Sequence, residues 1–227
     1  MNEDIWSLEN FSGTARLFPL PNLVLFPNVV QPLHVFEPRY RQLTADAIAS
    51  DQLVTMALLQ PGWEPDAAGL PPIFPVACLG RIIAHKELDD GRSILLLRGL
   101  SRVRIVEETP SDKMYRTARV ELMPDVSVLT LDEARTTRRR LAELILARFQ
   151  GSESDRAQLQ ELFEGEMPLG GMCDVLSYQV PLSPERKQKL LEETDVAVRA
   201  RELIRALESI SPMRRVPRKY PVEFSAN

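Results

Sequence analysis

The chain has 227 residues, of which 44% are hydrophobic and 26% charged, and its formal net charge is −4. This composition is that of an ordinary globular protein and the length allows a full core, so a disordered chain is excluded and one large or two small folded units are predicted. The acidic balance argues against a broad electrostatic grip on nucleic acid, which needs many Lys and Arg side chains against phosphates.

The chain start and the cysteines both favour a cytoplasmic protein. The opening residues, Met1-Asn2-Glu3-Asp4, are acidic where a secretory signal is basic, and no stretch approaches the roughly 20 apolar residues that cross a bilayer. We therefore expect no membrane contact. Cys78 and Cys173 are far apart in sequence, and in a reducing compartment such cysteines are more often small buried hydrophobes than a disulfide.

The first part of the chain is predicted to contain strands and one helix. Prolines interrupt the apolar segments 17–27 and 29–36, which favours short edge strands and excludes a helix. Apolar residues at three- and four-residue spacing then predict an amphipathic helix over 38–50. The residues with this spacing are Phe36, Tyr40, Leu43 and Ala47. The apolar run 52–60 is short enough for a buried strand.

From residue 76 the pattern becomes that of antiparallel strands. An Asp-Gly step at 90–91 predicts a hairpin over 76–98, and Gly99 is interpreted as the next corner. Apolar and charged residues then alternate through 102–105 and 118–122, which is typical of half-buried antiparallel strands. Together with the Pro-interrupted strands, these segments predict a barrel or a strongly coiled sheet.

Near residue 124 the apolar period changes from 2 to 3.6, which predicts a boundary followed by helices. Thr130 and Glu133 have the spacing of a capping box at the start of the first helix. Four further helices are predicted: 154–163, 171–179, one capped by Ser183 with Pro184 at its first position, and one capped by Asp195. Such a succession of short amphipathic helices indicates a small bundle.

No catalytic or metal-binding constellation is recognisable in the sequence. His34 and His85 have no spacing that joins them to cysteines or carboxylates as metal ligands. Gly69, Gly80, Gly91 and Gly99 are scattered singly, so no glycine-rich phosphate loop is predicted, and the G-x-S-x-G elbow of serine hydrolases is missing. The basic run 138–140 is interpreted as the solvated side of a helix in preference to a grip for an acidic partner. We therefore predict no catalytic residue, no metal and no cofactor.

Several motifs, taken in order, resemble the Lon protease N-terminal, or substrate-binding, domain. These motifs are Leu17-Phe18-Pro19-Leu20, Val24-Leu25-Phe26-Pro27, the segment 32–43, Leu79-Gly80-Arg81-Ile82, the segment 97–105 and the segment 187–199. The resemblance covers about residues 15–210. With the change of period at 124, it implies an α+β fold: a PUA-like antiparallel β-barrel with one embedded helix at 15–124, a helical bundle at 125–211, and tails at 1–14 and 212–227.

The resemblance also implies a function. Full-length Lon proteases carry an ATPase module and a Ser-Lys protease domain further along, and this chain ends before either could begin, so we expect a non-enzymatic, proteolysis-related module with a polypeptide or protein as partner. The residues expected to form the binding site are Phe36 and Tyr40 as an apolar floor and Glu37, Arg39, Arg81, Arg98 and Arg102 as a polar rim. In the alternative, structural interpretation, Phe36 and Tyr40 pack the helix on the barrel and the charged residues form an ion-pair network.

Two other functions compete with polypeptide binding. RNA binding is possible in principle because PUA-like barrels resemble folds of RNA-modifying proteins, but only two Trp and four Tyr residues occur and the charge is acidic, so nucleic acid is not the expected partner. A hydrolase with a site between barrel and bundle is the other alternative. The sequence specifies neither the partner nor the oligomeric state.

Overall fold

The computed structural model describes residues 8, 11–63, 70–149 and 152–209. The elements in chain order are β1 (Thr14–Leu20), β2 (Val30–Val35), α1 (Pro38–Ile48), β3 (Leu53–Leu58), β4 (Val76–Glu87), β5 (Ser93–Thr109), β6 (Thr117–Met123), α2 (Leu131–Arg148), α3 (Glu153–Glu164), α4 (Leu169–Gln179), α5 (Pro184–Glu192) and α6 (Val196–Ser209). This mixed α and β architecture agrees with the predicted class. The predicted tail 212–227, and most of the tail 1–14, lie outside the described residues.

The strands form one six-stranded sheet with the order β2-β5-β4-β3-β1-β6, and β5 pairs with β6 as well. The length of β5 makes this possible, because its first part pairs with β2 and its second part pairs with β6. As a result, each of the five strands β1, β3, β4, β5 and β6 is paired with two others of the five.

One pairing corrects the predicted all-antiparallel arrangement. β1 and β3 run parallel, with Leu17 opposite Thr55 and Leu20 opposite Leu58. Parallel neighbours need a crossover connection, since a tight hairpin joins only antiparallel strands. The connection here contains β2 and α1, so the helix predicted over 38–50 serves as the crossover.

Gly99 does not make the predicted corner, because β5 continues through it. The ladder between β4 and β5 shifts at this point: Gly80 pairs with Gly99, and Leu79 pairs with Ser101. A β-carbon on Gly99 would lie 2.1 Å from the carbonyl oxygen of Phe26. Glycine is needed at this position for a close backbone approach and not for a turn.

Pro32 lies in β2, which among the described strands pairs only with β5. The Gly99 N–H donates to the Val29 carbonyl, so the odd-numbered positions of β2 face β5 and Pro32 faces the opposite edge. Proline has no N–H for a ladder and is tolerated at such an edge, which confirms the predicted edge strand. The Gln31 side-chain amide donates to the Pro32 carbonyl at 2.5 Å.

The helical half begins as predicted. The Glu133 N–H donates to the Thr130 hydroxyl at 3.3 Å and the Thr130 N–H donates to the Glu133 carboxylate at 2.8 Å, which completes the capping box of α2. Ser183 caps α5, and Pro184 occupies its first turn. Asp195 accepts two backbone N–H groups at the start of α6. Within the described residues, no helix combines the length and the apolar character needed to cross a bilayer.

A single large hydrophobic cluster contains residues of both halves of the chain. Met56 and Leu97 contribute to it from the strands, and Leu141, Met172 and Leu203 contribute from the helices. A second, smaller cluster lies among the strands. Because the larger cluster continues past residue 124, the helices pack on the sheet through a shared core, and the division into two units stays a prediction.

Both cysteines are buried, unpaired thiols, as predicted. Cys78 lies on β4 and Cys173 on α4, and each has no exposed surface. Burial raises the pKa of both thiols, because a thiolate is poorly solvated in the core. Neither thiol is therefore set up as a nucleophile.

Candidate functional site

Among the described residues, no other element covers one face of the β2–β5–β4 part of the sheet. Leu33 and Val35 on β2 and Leu95 and Leu97 on β5 are buried in the large cluster, so the intervening side chains point away from it. These intervening residues, with their partners on β4, define the open face: Val30, Pro32 and His34 on β2, Ile94, Leu96 and Arg98 on β5, and Arg81, Ala84 and Lys86 on β4. All of them are exposed or half-exposed.

The strand register arranges the open face in three rows. The first row is Val30, Arg98 and Arg81; the second is Pro32, Leu96 and Ala84; the third is His34, Ile94 and Lys86. The second row is entirely apolar, and apolar residues also occur in the other two rows. Contiguous exposed apolar surface of this kind marks interaction sites more often than single exposed residues do.

Two further apolar side chains extend the open face. Ile83 lies at the register shift in β4 and is 41% exposed. Phe36 directly follows β2 and is 59% exposed, with its ring centroid 6.0 Å from that of His34. The exposure of Phe36 corrects the interpretation that it packs α1 on the sheet.

The charges of the open face are all positive. Arg81, Arg98 and Lys86 occupy three of its nine positions, and no acidic residue occupies any of them, although the whole chain is acidic. The Nε atom of Arg81 is buried and has no hydrogen-bond partner among the described residues. The open face is therefore an apolar surface with basic groups on both sides of its central row.

The seven residues predicted for the binding site fall into three places. Phe36, Arg81 and Arg98 lie on the open face or directly beside it. Glu37 and Arg39 follow Phe36 at the start of α1, where an ion pair of 2.7 Å joins them. The remaining two residues, Tyr40 and Arg102, are buried and lie elsewhere.

Tyr40 attaches α1 to the sheet. Its ring stacks on Phe18 with centroids 3.8 Å apart, and its hydroxyl donates to the Pro19 carbonyl at 2.7 Å. The Arg39 guanidinium lies 4.6 Å from the centre of the same ring. Burial raises the pKa of Tyr40 to about 12. These contacts match the structural interpretation of Tyr40 and not its proposed role as a binding floor.

In an alkaline titration, Tyr40 and Tyr115 are expected to ionise at higher pH than ordinary tyrosines. Burial, with a hydrogen bond to Asp46, raises the pKa of Tyr115 to about 12 as well. Above the ordinary value of 10.0, the unfolded chain loses protons that folded Tyr40 and Tyr115 retain. The free energy of unfolding therefore falls as pH rises from 10 to 12, by up to about 1.4 kcal/mol per pH unit for each tyrosine.

Ultraviolet absorbance at rising pH, with circular dichroism in parallel, measures this effect. Tyr40→Phe and Tyr115→Phe should each remove one tyrosine whose ionisation coincides with unfolding. Ionisation of both residues near pH 10 in a protein that is still folded would contradict the expectation.

Arg102 belongs to a buried group of four charged side chains between the strands and the helices, which we call the charge cluster. Its members are Arg102 on β5, Asp125 after β6, Asp174 on α4 and Arg199 on α6. Arg102 donates two hydrogen bonds to Asp174 and one to Asp125 at 3.1 Å. Arg199 donates to Asp125 at 2.5 Å, and its Nε lies 3.4 Å from Asp174.

The charge cluster is neutral overall and almost inaccessible to solvent. Side-chain exposure is 2% for Arg102, 1% for Asp174 and 0% for Arg199, and only Asp125 reaches the surface, with 32%. Burial raises the pKa of Asp174, and both arginines oppose this effect. Burial alone would lower the pKa of Arg199, but Asp174 and Asp125 raise it above its ordinary value. The cluster joins the sheet to the helices, and apart from the exposed part of Asp125 it offers no surface to a ligand.

The sequences of α4 and α6 contain a signal for the charge cluster, although Asp174 and Arg199 are not among the residues predicted for the binding site. Asp174 lies among apolar residues in α4, and eight of the eleven residues of that helix are buried. Arg199 falls within the apolar stripe of α6, between Val196 and Leu203. A charged residue at a core position of an amphipathic helix requires a buried partner of opposite charge.

Other surfaces of the described chain add little chemistry. A cleft of about 480 Å³ lies between α5 and α6. Charged side chains of both signs line it, and among them Arg205 donates to Glu202 at 2.5 Å. Among the described residues that line this cleft there is neither a histidine nor a cysteine. No group of three or more His, Cys, Asp or Glu side chains within the described residues is arranged to hold a metal ion.

Comparison with known proteins assigns the family. The family model described as the ATP-dependent protease La (LON) substrate-binding domain matches residues 14–209. The chain belongs to the Lon substrate-binding domain family. The match includes the strands of the open face, the helix α1 and all four residues of the charge cluster.

The curated relatives of this Lon-family chain are much longer proteins. It is 25% identical over 199 residues to the Lon protease of Anaeromyxobacter dehalogenans, and the alignment covers 88% of this chain and 23% of the relative. It is 26% identical over 199 residues to Lon protease 2 of Myxococcus xanthus, and the alignment covers 88% of this chain and 24% of the relative. The chain thus spans about a quarter of the length of these proteases.

Two solved Lon N-terminal domains have the same fold. The N-terminal domain of the Mycobacterium avium complex Lon protease is 18% identical, with a TM-score of 0.68, and the alignment covers 86% of this chain and 98% of that domain. The Lon N-terminal domain protein from Xanthomonas campestris is 24% identical, with a TM-score of 0.61, and the alignment covers 85% of this chain and 97% of that protein.

Proposed function

We propose that this protein is a non-catalytic polypeptide-binding module and that the open face is its binding surface. The observation that carries the proposal is the exposed apolar side chains of one sheet face in a chain of the Lon substrate-binding domain family. The proposal includes the fold implied by the motifs: the five strands that pair with one another form a PUA-like barrel, and the open face lies on the part of β4 and β5 that β2 extends.

The open face suits unfolded segments better than folded proteins. An unfolded segment exposes apolar side chains that a folded protein hides, and each square ångström of apolar surface removed from water contributes about 25 cal/mol. Leu96 and Ile94 are half-buried in the sheet and therefore lose little side-chain entropy when a ligand covers them. Such contacts recognise the unfolded state of the partner and do not require one particular amino-acid sequence.

The expected affinity is modest. The face is formed by three short strand segments, so the buried area falls at the low end for protein interfaces, where transient complexes are found. The ligand also loses chain entropy when it is ordered on the face. We expect dissociation constants on the order of micromolar, as suits a module that captures and releases its partners.

A binding titration tests the proposal. Fluorescence anisotropy of a labelled, permanently unfolded model polypeptide should saturate with the purified protein. The variants Leu96→Ser and Phe36→Ser each remove apolar contact area, so each should weaken binding severalfold, and together they should weaken it by about tenfold or more.

Val128→Ser is the matched control. Val128 is 77% exposed and lies outside the open face, so its replacement removes an apolar side chain of similar character without touching the proposed surface. Equal affinity of the wild type and the Leu96→Ser, Phe36→Ser double variant, or loss of binding only in Val128→Ser, would count against the open face. Failure of the wild type to bind any unfolded polypeptide would reject the function itself.

A further inference from the structure

We infer that the open face selects extended polypeptide segments in which an acidic residue stands two positions away from an apolar residue. This inference rests on the proposed polypeptide-binding function and adds a ligand chemistry to it. It follows from the charges of the open face and from the spacing of its three rows.

The spacing of the rows matches that of an extended chain. Residues on one face of a strand recur every second position, which is about 7 Å. The apolar row of Pro32, Leu96 and Ala84 therefore lies about 7 Å from the row of Arg98 and Arg81 and about 7 Å from the row of Lys86. An extended ligand lying along β5 presents its own alternate side chains at the same interval. An apolar side chain over Leu96 then places the side chains two residues away over the basic rows.

The basic rows are built to attract carboxylates. Arg81 lies directly opposite Arg98 across β4 and β5, and Lys86 lies on the other side of the apolar row, so that row has a basic side chain on each side. Arg81 is half-exposed, and a carboxylate is the acceptor that a guanidinium binds in bidentate geometry. None of the nine face positions carries an acid, so a ligand is the expected source of a carboxylate for Arg81 and Lys86.

The central row favours a peptide over a nucleic acid. Single-stranded nucleic acids are held by aromatic platforms and by many cations along the backbone. The central row here consists of Pro32, Leu96 and Ala84, and the whole chain has a net charge of −4. Aliphatic contacts with a basic group on either side suit aliphatic and acidic side chains.

Fluorescence anisotropy of short labelled peptides tests the inference. Four peptides share a central leucine and differ in their charged residues: Glu two positions from leucine, Glu one position from leucine, Gln in place of Glu, and Lys in place of Glu. The first peptide should bind about tenfold more tightly than the Gln peptide at low ionic strength, and the advantage should shrink as salt is added. The second should resemble the Gln peptide, because its carboxylates point away from the face.

Variants of the protein identify the side chains that are responsible for the preference for acidic peptides. Arg81→Gln and Lys86→Gln should each remove part of the preference for Glu over Gln, whereas Leu96→Ser should weaken all four peptides alike. Arg104→Gln is the matched control, because Arg104 is an exposed arginine of β5 outside the open face. Circular dichroism checks each fold; should Arg81→Gln not fold, the exposed Lys86 carries the test alone.

Each outcome has a distinct meaning. Equal affinity for the four peptides overturns the acidic preference and leaves polypeptide binding intact. No binding of any peptide, including the Gln peptide, removes the proposed function together with the inference. Tighter binding of an RNA oligonucleotide than of the acidic peptide, lost in Arg81→Gln, overturns the inference in favour of nucleic acid.

Discussion

Replacing Asp174 by alanine is expected to lower the free energy of unfolding by about 3–5 kcal/mol. The substitution leaves Arg102 and Arg199 buried, with 2% and 0% side-chain exposure, and removes the carboxylate that both contact. Asp125 remains, but one carboxylate cannot neutralise two buried guanidinium groups. Urea unfolding followed by circular dichroism measures the loss.

Asp125→Ala is the control for this prediction. The Asp125 side chain is 32% exposed, so its removal opens the cluster to water on that side and leaves Asp174 in contact with both arginines. The loss should therefore be less than half of that for Asp174→Ala. A loss below about 1 kcal/mol for Asp174→Ala would mean that the two arginines are hydrated in the folded protein. Equal losses in the two variants would contradict the assignment of Asp174 as the centre of the cluster.

Gly99→Ala is expected to cost about 3 kcal/mol, which is the upper part of the range for overpacking. The added β-carbon would lie 2.1 Å from the Phe26 carbonyl oxygen and 3.1 Å from the sulfur of Cys78. A backbone carbonyl cannot rotate away as a side chain can, so the strand or the 23–29 segment must move. The shift in the urea midpoint at unchanged slope reports the loss.

Gly62→Ala provides the comparison for Gly99→Ala. Gly62 has φ +83°, and an added β-carbon there meets nothing within 4 Å. Its cost is therefore conformational and should be about 1 kcal/mol. A larger loss for Gly62→Ala than for Gly99→Ala would show that backbone conformation matters more than the contact with Phe26.

Local signals in the sequence predicted local structure well. The capping box of Thr130 and Glu133, the edge position of Pro32 and the turn at Gly91, which has φ +77°, each depend on residues within a few positions. The parallel pairing of β1 with β3 does not, because strand order depends on contacts made across the whole fold. Gly99 was misread for the same reason, since its neighbour Phe26 is distant in sequence.

The candidate site was predictable only in part. Phe36, Arg81 and Arg98 were singled out through family motifs, whereas Leu96 and Lys86 were not. The run from Ile94 to Leu97 is continuously apolar, so the sequence does not reveal which of its side chains face the core. That distinction follows from the pairing of β5 with β2 and β4, which exists only in the folded protein.

The proline at the edge of β2 bears on self-association. A strand at the end of a sheet is a template on which another strand, from a client or a second copy, can be added until fibres form. At the centre of this edge Pro32 offers no donor, and the Gln31 amide occupies its carbonyl. On the proposed binding surface, a bound segment would therefore be held by its side chains without adding a strand to the sheet, and it would leave without having nucleated fibres.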